Sequence, residues 1–435
     1  MEFHRDIRNW VYPLITAILA IVLIIGVSCR KTPTPEVIPT PGPWKEKATA
    51  TAQAREITPT PTPHTSSPIQ PSSPLPTPIT GQGQQPTPQP EVGPIMTSPD
   101  YGIQAFLWWR PEVATRDLGL IKDMGFRWVK QVFSWADIEG AAKDHLNWTQ
   151  SDAVVQHAEE LNIKILARLD RAPAWTGAGA PNGPPQNYED FGDFCFQIAS
   201  RYRGRIHAYQ IWNEPNLARE WGGQPPNPEQ YTALLAVAYR RIKEADPNAI
   251  VISAGLSPTG TDNEQVMSDD KYLERLYQAG FQQHCDMVGM HAAGYKAPPE
   301  LSPDDLVADP NQTYGQHRFN CFRRVEDLRA IMEKYGDGDR RVVLLEFGWT
   351  TDTIHPEYSW HAVTQEEQAD YLVRAYKYAQ AHWQPWIALM STIYIADSDW
   401  TKEREEYWWA ITYPNYPTPL VKPAYESLRD MPKLP

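Results

Sequence analysis

With 435 residues and a formal net charge of -13, the chain is too long for one minimal core and too acidic to suggest a nucleic-acid partner, since phosphate binding relies on clustered Lys and Arg. Proline is densest in the first hundred residues, whereas most of the 17 tryptophans and 21 tyrosines lie beyond Tyr101. The packed core therefore belongs to the later part.

The chain opens with a short head bearing Arg5 and Arg8, followed by an uncharged apolar run from Val11 to Ser28, VYPLITAILAIVLIIGVS. This run lies at the lower limit for crossing a bilayer and slightly exceeds an ordinary signal-peptide core, so residues 1–29 read as a signal peptide or membrane anchor. GVSC, ending at Cys29, resembles a bacterial lipoprotein signal in which that Cys is lipidated, with Gly26 standing where a bulky aliphatic is preferred. Both readings place the rest outside the cytoplasmic membrane, either tethered to it or secreted.

From residue 30 to 98, segments such as TPTPEVIPTPGPW and ITPTPTPHTSSP carry Pro at every second or third position. Such spacing removes helix and sheet hydrogen bonds and favours extended polyproline conformations, so a disordered Pro/Thr-rich linker is expected. Fully extended, at ~3.1 Å per residue, it reaches roughly 200 Å.

Beyond Tyr101, short apolar runs alternate with stretches of helical period. The runs are GIQAFLW (102–108), RWVKQVF (127–133), IKILARL (163–169), IHAYQIW (206–212), AIVISAG (249–255), DMVGMHA (286–292), RVVLLEF (341–347) and IALMSTIYI (387–395). Between them lie helix candidates such as YEDFGDFCFQIASRYRG and QEEQADYLVRAYKYAQAHW, with a last one near KPAYESLRD. Eight strand-helix units predict a closed (β/α)8 barrel, the TIM barrel, over 99–435. A doubly wound open sheet is the alternative, but the turn after the first run, WRPEVA, has no glycine.

Cys195, Cys285 and Cys321 lie in this part, an odd number, so at least one is unpaired within a single chain. Cys285 with Cys321 is the first candidate disulfide, and Cys195, among Phe191, Phe194 and Phe196, reads as a buried small hydrophobe. No CxxC or His/Cys cluster suggests a metal site, so none is expected, and the chain is read as a monomer.

In a barrel, reactive side chains come from the C-terminal ends of the strands. Glu214 follows the fourth run, in AYQIWNEPNLARE, and Glu346 closes the seventh, after the apolar VVLL. A glutamate closing such a run is costly to bury without a partner or a purpose. Strands four and seven face one another across the mouth, and two carboxyls converging there suit glycosidic bond cleavage, one as proton donor and the other ionised. Asn213, beside the acid, is placed to bond a sugar hydroxyl. No cofactor is required, because the two carboxyl groups supply both proton and nucleophile.

IWNEPN on strand four with LLEFGW on strand seven resembles the large clan of retaining (β/α)8 glycoside hydrolases that contains families 5 and 39, the cellulase and β-xylosidase-like superfamily. FSWADIEGAAKDHLNW and ILARLDRAPAW also resemble the second and third units of its members, so the likeness covers residues 101 to 430. The resemblance implies Glu214 as acid/base, Glu346 as nucleophile, Asn213 as partner of the sugar 2-hydroxyl, and an oligo- or polysaccharide with β-linkages as substrate. It also places His291 and Tyr295, after strand six, among groups that orient substrate or nucleophile. Arg168, ending strand three, is expected either to bind a sugar hydroxyl or to hold a carboxylate in a buried ion pair. Where the clan often has an arginine on strand two, this chain has Lys130 and Gln131, a departure that bears on substrate positioning.

Sugar C–H faces stack on aromatic rings, so a saccharide groove is expected to be lined by tryptophans at strand ends, led by Trp135, Trp175 and Trp349, with Trp408 in addition. A carbohydrate-binding barrel without catalysis and a transglycosylase remodelling cell-surface polysaccharide are the competing functional readings.

Overall fold

The computed structural model describes residues 95–180 and 182–434; the expected signal or anchor segment and nearly all of the Pro-rich linker lie outside the described residues. Among the described residues the main sheet has eight strands: β1 Asp100–Gln104, β2 Trp128–Ser134, β3 Lys164–Asp170, β4 Ala208–Ile211, β5 Ile250–Ile252, β6 Val288–Ala293, β7 Val342–Gly348 and β8 Ile387–Thr392. Each falls within one of the eight apolar runs or overlaps it. The principal helix following each strand is α1 Pro111–Asp123, α2 Thr149–Glu160, α3 Tyr188–Arg201, α4 Pro228–Ala245, α5 Asp269–Gln278, α6 Arg324–Lys334, α7 Gln365–His382 and α8 Pro423–Asp430.

Parallel pairing runs in the order β5-β4-β3-β2-β1-β8-β7-β6. A parallel bridge between Ile252 and Met287 links the two outer members, so the sheet is a nearly closed barrel. The strands are apolar on both faces because both are covered, one by the barrel interior and the other by helices. Helix starts are chemically marked: Asn187 caps α3, Asn227 caps α4 ahead of Pro228, and Thr364 forms a capping box with Glu367 on α7.

Two apolar sets divide the core. Trp128, Leu166, Ala208, Ile252, Val343, Leu345 and Leu389 fill the inside of the barrel, while Val129, Ile165, Tyr209, Ile211, Val251 and Leu344 pack between sheet and helices. Met96 joins the inner set, and the segment carrying it is pinned by Lys164 Nζ to Ile95 O (2.8 Å), Arg341 Nη1 to Met96 O (3.0 Å) and Ser98 Oγ to Ile387 O (2.6 Å). Residues 95–98 are thus fastened to the barrel.

The proposed Cys285–Cys321 disulfide is absent; both thiols are free and buried, as is Cys195. Cys285 precedes β6 and packs in the main core, whereas Cys321 lies beyond the far end of β6 in a separate cluster with Ala297 and Leu306. The length of a strand lies between them. Among the described residues no helix is long and apolar enough to cross a membrane.

One buried ion cluster joins two helices of the outer layer. Arg324, at the start of α6, donates to Asp269 of α5 at 2.6 and 3.1 Å, to Asp270 at 2.9 Å and to Asp327 at 2.7 Å, and both Arg324 and Asp269 are buried. Removing the cation strands Asp269 in an apolar layer. Arg324→Met is therefore expected to cost about 3–5 kcal/mol of stability, read as a lower denaturant midpoint at unchanged slope.

Candidate active site

After Ile211 the chain leaves the extended conformation abruptly. Trp212 (φ 68) and Glu214 (φ 40) both occupy the left-handed region, which non-glycine residues enter at a cost. Glu214 N–H donates to Gly255 O at 3.0 Å, and Leu217 N–H to Glu214 O at 3.0 Å, so the end of β5 and the turn itself hold the distortion in place. The Glu214 side chain is thereby aimed at His291 and Glu346.

Glu346 reaches the same point by a different device. Val342 and Leu344 face the helices and Val343 faces inward, so strict alternation would turn Glu346 outward. Met290 pairs with Leu344, however, and His291 with Glu346, which leaves Leu345 as an extra residue, a β-bulge. The register on the β8 side slips over the same residues. Leu345 and Glu346 consequently both face inward, and Phe347 returns to the helix layer. Lys130 secures the bulge: its buried Nζ donates to Glu346 Oε1 at 2.7 Å and to Leu345 O at 3.2 Å.

His291 Nδ1 stands 3.0 Å from Glu214 Oε1 and 3.8 Å from Glu346 Oε2. Arg219 Nη2 lies 3.5 Å from Glu214 Oε2, and Arg168 Nη1 4.0 Å from Glu346 Oε1. Oxygen atoms of the two carboxyl groups approach within 4.8 Å. Glu214, His291 and Glu346 are a donor set of the kind that can hold a metal ion; within it His291 and Glu214 are hydrogen-bonded to one another, and Glu346 is paired with Lys130.

The electrostatics separate the carboxyls by their neighbours. Burial pushes Glu346 up, but Lys130, His291 and Arg168 outweigh it and hold the group at about 2. Burial also raises Glu214, and the hydrogen bond and charge of His291 together with Arg219 bring it below the ordinary carboxylate value. At two further acids burial outweighs the nearby cations. Burial and the Glu214 charge push Glu220 up to about 7, and burial with Glu406 pushes Glu405 up to about 9 although Arg219 opposes it. Arg219 thus stands among Glu214, Glu220 and Glu405, a grouping that no motif in the sequence signalled.

Of the expected site residues, the structure brings together Glu214, Glu346, His291, Arg168 and Asn213, the last accepting from Gln210 Nε2 at 3.3 Å. Arg168 takes the ion-pair role of the two considered for it, since Nε also pairs with Asp170 at 2.5 Å. Tyr295 (φ 51) donates to Pro258 O at 3.2 Å and lies within the field of Glu214. Gln131 turns to the other face from Lys130 and accepts from Leu107 N–H at 2.7 Å.

Two of the four expected tryptophans require correction. Trp135 and Trp349 are fully buried and line no groove. Each lies two residues beyond an outward-facing phenylalanine, Phe133 and Phe347, and continues onto the helix side: Trp135 stacks on Phe194, and Trp349 Nε1 donates to Ala297 O at 2.8 Å. Trp175, half-buried, packs edge-on against Trp135 and donates to Glu139 O. Trp408 turns its indole N–H back to Lys402 O within its own loop.

Gly255 is a site residue that sequence reasoning passed over. A Cβ there would overlap Cδ2 and Nε2 of His291, so the ring reaches Glu214 only because the loop just beyond β5 carries a glycine at this point. The signal was present as the last letter of AIVISAG.

Structural comparison follows this geometry. The chain superposes on a family 39 glycoside hydrolase from the gut symbiont Bacteroides cellulosilyticus WH2 with a TM-score of 0.56 at 19% identity, covering 77% of this chain and 63% of that one. The fold is one that glycoside hydrolases share. A glucosidase from Croceicoccus marinus matches with a TM-score of 0.53 at 14% identity over 77% of this chain and 68% of that one. The beta-glycosidase BGL167 gives 0.53 at 14% over 77% and 96%. The chain therefore spans a little under two thirds of the family 39 protein and nearly all of BGL167. No protein-family model and no curated protein matches the sequence.

Gly255→Ala is expected to force His291 away from Glu214 and to cost about 1–3 kcal/mol through overpacking. A melting curve reports the second effect, and a shift of the Glu214 titration to higher pH reports the first, because the contact that depresses it is lost.

Proposed function

We propose that the protein is a glycoside hydrolase that cleaves β-linked oligo- or polysaccharides by retaining double displacement. The observation that carries this reading is the pair of carboxyl groups from β4 and β7, whose oxygens approach within 4.8 Å. Retaining enzymes hold the two groups about 5–5.5 Å apart, whereas inverting enzymes leave roughly 6.5–9.5 Å for a water molecule.

Glu346, ionised at any working pH, attacks the anomeric carbon while Glu214 protonates the departing oxygen; Glu214 then takes a proton from water as the glycosyl ester is hydrolysed. The two roles are linked through charge. The Glu346 carboxylate raises the Glu214 pKa, which favours the acid form in the first step. Ester formation removes that charge, so Glu214 becomes easier to ionise when a base is needed. Asn213, next to Glu214 and buried at the mouth, is the candidate partner of the sugar hydroxyl adjacent to the reacting carbon.

Glu346→Gln is expected to lower kcat/KM on aryl β-glycosides by about four orders of magnitude or more with the melting temperature retained. Turnover at the wild-type rate in that variant overturns the assignment, and proton NMR of the first-formed product decides between retention and inversion. The pH profile supplies a second test. Activity needs Glu214 protonated, so the rate falls as pH rises through its pKa. His291 and Arg219 depress that pKa, which places the upper limb in the acidic range. Arg219→Met removes part of the depression and is expected to move the limb to higher pH. Lys130→Met releases Glu346 upward and is expected to move the lower limb to higher pH as well.

A further inference from the structure

Aromatic side chains from three loops gather at the rim on the β6–β8 side. Tyr295 follows β6; Tyr358, Trp360 and His361 follow β7; Trp409 follows β8. His361 is buried at the centre, with ring centroids 5.0 Å from Tyr295, 4.7 Å from Trp360, 5.9 Å from Tyr358 and 6.2 Å from Trp409. Tyr295 and Trp360 lie 6.0 Å apart at 34°. At one end of this array, Tyr295 lies within the field of Glu214. At the other, Trp360 leaves 43% of its surface open to solvent, and Ile354 of the same loop leaves 53%.

A ligand with an apolar face would remove the open part of this indole from water. The sequence of rings from Glu214 to open solvent is continuous with the candidate active site, and it carries no formal charge: burial holds His361 down at about 4, so the ring is neutral above that pH. Apolar ring faces flanked by neutral polar edges fit the C–H faces and hydroxyls of a pyranose. With a net charge of -13, the molecule disfavours a polyanionic chain.

We propose, resting on the hydrolase reading, that Trp360 is the exposed end of an aromatic platform, supported by His361 and Tyr295, that stacks a sugar unit of a neutral β-linked oligosaccharide outside the reacting centre. The preferred ligand is consequently a chain of several sugars. A disaccharide bound across the cleavage point is expected to gain less from the platform than a longer chain.

The test uses Glu346→Gln protein to measure affinity for disaccharides and hexasaccharides of β-glucan, xylan, mannan and galactan by calorimetry, with and without Trp360→Ala. The expected result is a hexasaccharide bound at least ten-fold more tightly than its disaccharide, with most of that ratio lost in Trp360→Ala and retained in Trp360→Phe, which keeps a ring. Equal affinity at both lengths, a ratio that survives Trp360→Ala, or no binding across the panel overturns the platform. A far-ultraviolet melt confirms that each variant is folded. Aryl glycoside turnover by the unmodified protein tests the hydrolase reading separately: turnover without a length effect sinks the platform alone, and a length effect without turnover sinks the hydrolysis alone.

Discussion

The site depends on the contact between the Lys130 ammonium and the bulge in β7. One buried cation meets two acceptors that the bulge creates together, the redirected Glu346 carboxylate and the carbonyl of the extra residue, Leu345. A buried carboxylate without a partner would be protonated or would distort the strand. Paired with Lys130, it remains ionised and pointed into the barrel. An arginine on this strand would bring a wider, forked group; the lysine brings a compact point charge that fits beside an interior already holding Arg168.

The second carboxyl is positioned by backbone strain and close packing. The left-handed turn at Trp212 and Glu214 is stabilised from β5 by the Gly255 carbonyl, and the same glycine makes room for His291. His291 then bridges toward both acids from β6. Residues on or just beyond six strands, β2 to β7, therefore converge on one region, which a barrel permits because every strand ends at the same rim.

Much of this was legible in the amino-acid order, for reasons that differ by element. The eight strands announced themselves because apolar runs bounded by polar turns leave few other foldings. Glu214 and Glu346 stood out because charged residues closing apolar runs are rare. The orientation of Glu346 was not legible, since alternation along VVLLEF points it at the helices and only pairing with β6 reveals the bulge. The tryptophans failed for a related reason. Trp135 and Trp349 do follow strands, but position along a strand says nothing of the face, and their phase with Phe133 and Phe347 places them in the core. The exposed rings, Trp360 above all, sit in a loop without periodicity. Arg219 and Glu405 reach the same region from different loops, and chain order carries no trace of that meeting.

The short stretch ahead of β1 has a consequence for assembly. Ile95 to Ser98 is held by Lys164 on β3, by Arg341 just before β7 and by Ile387 on β8. During synthesis this stretch emerges well before two of its three anchors exist. The first part of the barrel to be made is thus among the last to be fastened, and the floor of the molecule stays open until the final strand has arrived.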